Sequence, residues 1–222
     1  MYFVLFISIA LLSWAVSALL DHRFKKYAKV YLPLTGREVA EKMLRDNGIY
    51  DVQVTCTPGH LTDHYDPRNK TVNLSEAVYS SNNVAAAAVA AHECGHAVQH
   101  AFSYAPLNMR SALVPVVNFA SQWVTWILLG GILMVETFPQ LLLVGIILYA
   151  LTTLFAFITL PVEINASRRA IAWLEQSGIT DYQTTPMASS ALRSAAYTYV
   201  VAALSSLGTL IYYILIFTSR RD

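Results

Sequence analysis

Four long stretches of the chain carry no charged residue: 2–20, 111–135, 137–162 and 194–219. Each supplies the run of about 18–20 mostly apolar residues that a helix needs to cross the hydrocarbon core of a bilayer. A tight turn around Glu136 and Pro139 separates the middle two. The pattern therefore predicts membrane helices at 2–20, 111–135, 140–162 and 194–219. The Ser/Gly-containing run Ser205 to Gly208 weakens the last, which could also be a buried or interfacial helix.

Between these stretches the pattern changes period. Thr35-Gly36-Arg37-Glu38 fits a capping box, Val39, Met43 and Leu44 follow at helical spacing, and Asn47-Gly48 stops that helix. Residues 51–57 alternate and are rich in β-branched side chains, as a strand would be. Residues 60–74 read as a hairpin turning at Asp66-Pro67-Arg68-Asn69. Asn82 then caps an alanine-rich helix from about Val84 to Phe102. That helix is too short and too polar to cross a bilayer.

Composition explains how the two patterns coexist. Of 222 residues, 55% are hydrophobic and 13% charged, with a net charge of +1. All 29 charged residues fall in the 126 positions outside the uncharged stretches, 23% of them, which is ordinary for a soluble region. The expected fold is a mainly α integral membrane protein with about four transmembrane helices and a small α+β region. The polar parts are 21–110 and 163–193. Disorder is excluded, two cysteines cannot make a disulfide scaffold, and no basic excess points to nucleic acid.

Arg23, Lys25, Lys26 and Lys29 follow the first stretch, and no basic n-region precedes it. It reads as a signal anchor, although Ala15-Val16-Ser17 matches a small-residue cleavage site. Alternation then places both polar regions in the cytoplasm with 13 of the 15 basic residues. Arg220 and Arg221 fall outside, against the trend.

The chemistry sits in His92-Glu93-Cys94-Gly95-His96. An i, i+4 spacing puts both imidazoles on one helix face, within reach of a single Zn²⁺. Glu93 can reach a water on that zinc and act as general base toward a carbonyl. A catalytic zinc needs a third protein ligand and an open position. His100 lies about 12 Å along the axis from His92 and cannot share its metal. Glu163, at the end of the third stretch, is the better candidate, because the hairpin of stretches returns residue 163 to residue 110. The plainer alternative pairs Glu163 with Arg168 or lets it snorkel to the interface. Ser167, one turn beyond Glu163, could hydrogen-bond a ligand. Arg193, Tyr197, Tyr199 and His64 are candidates for stabilising the oxyanion, His64 also for a third ligand. The segment His64 to Leu74 could hold a peptide as an added strand.

These residues resemble the membrane gluzincin metallopeptidases, in which such a motif is followed, after a transmembrane hairpin, by a glutamate in E-x-x-A. The closer likeness is to the bacterial membrane neutral zinc metallopeptidases of the YugP-like type. It rests on Leu61-Thr62-Asp63-His64-Tyr65-Asp66-Pro67, on the alanine-rich helix with its motif, on Pro161-Val162-Glu163-Ile164-Asn165-Ala166-Ser167-Arg168-Arg169, and on Ala195-Ala196-Tyr197-Thr198-Tyr199-Val200. It covers nearly the whole chain. It implies one Zn²⁺ per chain held by His92, His96 and Glu163, with Glu93 catalytic. Ser167 stands where the HtpX-type and CaaX prenyl proteases have Asp.

The expected activity is zinc-dependent cleavage of peptide bonds at the cytoplasmic face of a bacterial cell membrane. The partners are the lipid bilayer and protein or peptide substrates, membrane proteins among them. The alternative is a non-catalytic membrane scaffold that keeps a metal site. Glu93 argues against it, since a purely structural zinc has no use for a base. An intramembrane protease would want its third ligand inside a span, and a metal transporter would want ionisable groups there; the four stretches hold none.

Overall fold

The computed structural model describes residues 2–219, apart from the side chains of Tyr2, Phe3 and Leu5. Among the described residues are four helices long and apolar enough to cross a membrane: α1 (Tyr2–Tyr27), α5 (Ala105–Leu133), α6 (Pro139–Gln176) and α7 (Thr184–Ser219). With three shorter helices and one three-stranded sheet they form a mainly α membrane protein. Arg220 and Arg221 lie outside the described residues.

The long helices run past the uncharged stretches that predict them. α6 continues through Glu163 to Gln176, and α7 begins at Thr184, so most of 163–193 extends these two helices. Nothing in Asn165-Ala166-Ser167-Arg168-Arg169-Ala170 breaks a helix. Gly178, at φ +70, follows the end of α6. Asp181 then accepts hydrogen bonds from the Gln183 and Thr184 amides at 2.9 and 2.7 Å and opens α7. The fourth stretch, Ser/Gly run included, is part of this one continuous helix.

α5 and α6 form the expected hairpin. They pack closely because Gly131 has no side chain: a Cβ there would lie 2.6 Å from the Leu142 Cα. α7 packs on the other side of α6, and α1 lies against α7. Arg23 donates to the Ser190 carbonyl at 3.0 Å, and the Tyr27 hydroxyl meets the Ser190 hydroxyl at 3.1 Å, fixing the C-terminal end of α1.

The polar region is built around α4 (Val84–Ala101), which packs against α2 (Gly36–Asp46), α6 and α7. Its alanines from Ala85 to Ala97 are buried, so the neighbouring helices approach its backbone. The Thr35 capping box starts α2, and Asn47-Gly48 ends it, as predicted. The cap of α4 is one residue later than predicted. Asn83 Oδ1 accepts from the Ala86 amide at 2.9 Å, while the Asn82 carbonyl accepts instead from the Leu32 amide at 3.1 Å. The helix ends at Ala101, and Phe102 is its C-cap.

Strands β2 (His64–Asp66) and β3 (Thr71–Ser75) form the predicted hairpin, with Asp66 accepting from the Arg68 amide at 2.8 Å in the turn. β1 (Gln53–Thr57) pairs with β3 in parallel, giving the order β1-β3-β2 and leaving β2 at an edge. The short α3 (Glu76–Tyr79) leads from β3 toward α4.

Candidate metal centre

His92 and His96 project from one face of α4, their ring centroids 4.8 Å apart and nearly perpendicular. Glu163 reaches them from α6. Its Oε2 lies 3.2 Å from His92 Nε2 and 3.5 Å from His96 Nε2. One donor atom from each of the three residues falls within 4.8 Å of the others. The α4–α6 crossing that allows this is made by Gly95, where a Cβ would sit 2.7 Å from the Ala166 carbonyl oxygen.

The other ring nitrogens are held by neighbours. Gln99 is fully buried. Its Nε2 donates to the Val162 carbonyl at 2.8 Å and to Asn165 Oδ1 at 3.0 Å. Its Oε1 is thereby turned to His96 Nδ1, 3.0 Å away. That Nδ1 must donate to the amide oxygen, and Nε2 is the nitrogen that faces Glu163. On His92, Nδ1 lies 3.1 Å from the Ser167 hydroxyl. Burial alone would lower the basicity of the His96 imidazole, but the Glu163 hydrogen bond and the Glu93 charge outweigh it, and its pKa is raised. The cluster thus attracts positive charge. Two imidazole nitrogens and a carboxylate oxygen converging on one point suit Zn²⁺, with room for a fourth ligand.

A cavity of about 290 Å³ opens over this cluster. Glu93, next to the first histidine, is buried and lines it. β2 supplies His64 and Tyr65, α5 supplies Leu107, Arg110 and Val114, and α7 supplies Tyr199. His64 Nδ1 donates to the Thr62 carbonyl at 2.7 Å, and its Nε2 accepts from Asn73 at 3.2 Å; it stands outside the three-ligand cluster. Arg193 and Tyr197 are exposed and absent from the cavity lining. His100 lies on the wall with Nδ1 2.9 Å from the Tyr65 hydroxyl. Cys94 points the other way, toward the Ala40 carbonyl, and burial raises its thiol pKa well above normal.

Residues 110 and 163 meet, as the hairpin implies. Arg110 Nη1 lies 3.6 Å from Glu163 Oε1, so this carboxylate pairs with Arg110 and the histidines, not with Arg168. Neither Arg110 nor Gln99 stands out as a site residue in the sequence. Gln99 is three residues from His96, a helical neighbour, and that spacing is its only signal.

The model of a family described as "Putative neutral zinc metallopeptidase" matches residues 2–218. The chain belongs to this family. It is also 44% identical over 201 residues to a protein of Bacillus subtilis (strain 168) named "Putative membrane protease YugP", a match spanning 90% of this chain and 88% of that protein. No solved structure matches it. The zinc that the family name implies fits the His92, His96 and Glu163 donors, and the family's membrane relative agrees with the four apolar helices.

Proposed function

We propose that this protein is a membrane-anchored zinc endopeptidase that hydrolyses peptide bonds at the cytoplasmic surface of a bacterial cell membrane. The observation that carries this reading is the convergence of His92, His96 and Glu163 beneath a cavity that Glu93 also lines. Bound zinc would supply a Lewis acid that polarises the scissile carbonyl and makes water a stronger acid.

The chain supplies the rest. The Glu93 carboxylate takes a proton from the attacking water and hands it to the departing amine nitrogen. The Tyr199 hydroxyl and the Arg110 guanidinium line the same cavity and can donate to the developing oxyanion. β2 is an edge strand on the cavity wall, suited to receive an extended peptide by backbone pairing. Ser167 and Gln99 hold the His92 and His96 rings so that both Nε2 atoms face Glu163, where the three would hold the zinc. The cytoplasmic assignment rests on the 13 of 15 basic residues that alternation puts on that side.

Metal content and casein or self-cleavage, measured on the wild type and Glu93→Gln, test the proposal. The variant is expected to keep one zinc and lose proteolysis. Equal proteolysis by both proteins refutes Glu93 as the base. Glu163→Ala is expected to lose zinc; full occupancy would remove Glu163 from the ligand set.

A further inference from the structure

α5 carries a feature that the catalytic centre does not use. Asn108, Ser111, Pro115, Asn118, Gln122 and Thr125 recur every three or four residues and are all exposed. They lie within one arc of the helix, in a stripe about 25 Å long. Asn118 and Gln122 fall inside the membrane-crossing part, and neither has a hydrogen-bond partner among the described residues. Pro115 lacks the amide hydrogen that would bond the Ser111 carbonyl, so this acceptor is freed along the same face.

The other faces of α5 are accounted for. Val124 and Leu128 are buried toward α6, and Val117 is buried on the same face of the helix. Phe119, Trp123 and Trp126 form an exposed aromatic face suited to lipid. The polar stripe lies between that face and the side that lines the cavity, and Ser111 belongs to both stripe and cavity. Elsewhere, in-span hydroxyls are satisfied within the bundle: Thr153 and Ser206 meet at 2.6 Å between α6 and α7, and Thr159 donates to the Phe155 carbonyl at 2.9 Å. Unpartnered amides facing hydrocarbon are unfavourable, and a second helix with polar groups relieves them.

We propose that this stripe is the docking track for one transmembrane helix of a membrane-protein substrate. The docked helix delivers its extended flank into the cavity. The occupant follows from continuity: a helix on this track ends at Ser111, beside the reacting centre. The inference rests on the peptidase reading and names its substrate class.

The test uses the full chain in lipid vesicles and two synthetic substrates with the same unstructured flank. In one, the flank follows a Leu-rich transmembrane helix bearing Asn and Ser on one face. In the other, the helix is Leu alone. The wild type is expected to cleave the striped substrate at least tenfold faster, and Asn118→Leu/Gln122→Leu is expected to abolish this preference while casein cleavage stays within twofold. A photo-crosslinker at position 118 or 122 should capture the striped helix in Glu93→Gln protein. A wild-type preference near one, a preference unchanged in the double variant, or capture of a second copy of this chain in place of the helix would each overturn the docking track. Proteolysis that survives Glu93→Gln would instead overturn the peptidase reading, so the two failures are distinct.

Discussion

Gly95→Ala isolates the contact that brings the two histidines to the glutamate. Alanine is the better helix former, and in the middle of α4 that alone would stabilise by about 1 kcal/mol. The new Cβ, however, would lie 2.7 Å from the Ala166 carbonyl oxygen and 3.1 Å from its Cα. These are backbone atoms, so no side chain can swing aside. Restoring an ordinary 3.4 Å contact requires α4 and α6 to part by about 0.7 Å at the crossing. Overpacking of this kind costs about 1–3 kcal/mol, enough to cancel or reverse the propensity gain. The larger effect falls on the metal. His92 and His96 flank Gly95 on α4, while Glu163 is on α6, and zinc–ligand distances tolerate only about 0.2 Å. The ligand set therefore opens by more than it can absorb. Zinc affinity is expected to fall at least tenfold, and zinc's stabilisation of the fold at a fixed excess of metal to shrink by at least about 1.4 kcal/mol. Chelator competition measures the first, and thermal unfolding in detergent with and without zinc measures the second. Gly95→Ala protein that binds zinc as tightly as the wild type would refute the claim that this crossing sets the site.

Gln99→Ala removes the acceptor that fixes the His96 ring and should weaken zinc binding by about 10–100-fold, read by chelator competition; unchanged affinity would mean that packing alone orients the ring. Ser167→Asp should tighten zinc binding and Ser167→Ala weaken it, because a carboxylate accepts more strongly than a hydroxyl from His92 Nδ1–H; the opposite order would show that Ser167 does not support the ligand. Thr35→Ala opens the capping box of α2 and should cost about 1 kcal/mol in unfolding experiments while leaving zinc affinity unchanged; a loss of zinc would mean that α2 holds α4 in place.

The apolar pattern made the four long helices legible, since a bilayer imposes a length that a sequence cannot hide. The motif was legible because i, i+4 spacing on a helix leaves two imidazoles no other arrangement. Glu163 was legible as a candidate because a carboxylate beside a membrane segment needs a partner. Its pairing with Arg110 was not: that residue comes from another helix, and local spacing carries no information about it. The same applies to Gln99, whose amide is turned by the Val162 carbonyl and Asn165 on α6, and to β1, whose parallel pairing with β3 skips over β2.

The sequence by itself determined the membrane helices, the motif helix and the candidate metal-ligand types, because each is written in a local period or a residue's own chemistry. Only the tertiary structure decided which Nε2 atoms face Glu163, which side chains wall the cavity, and which face of α5 is left polar and unpartnered. Asn118 and Gln122 are plain in the sequence, but whether they face a neighbouring helix or the bilayer depends on how α5 packs against α6. That rotation is set by the contacts of residues far apart along the chain, such as Gly131 against Leu142.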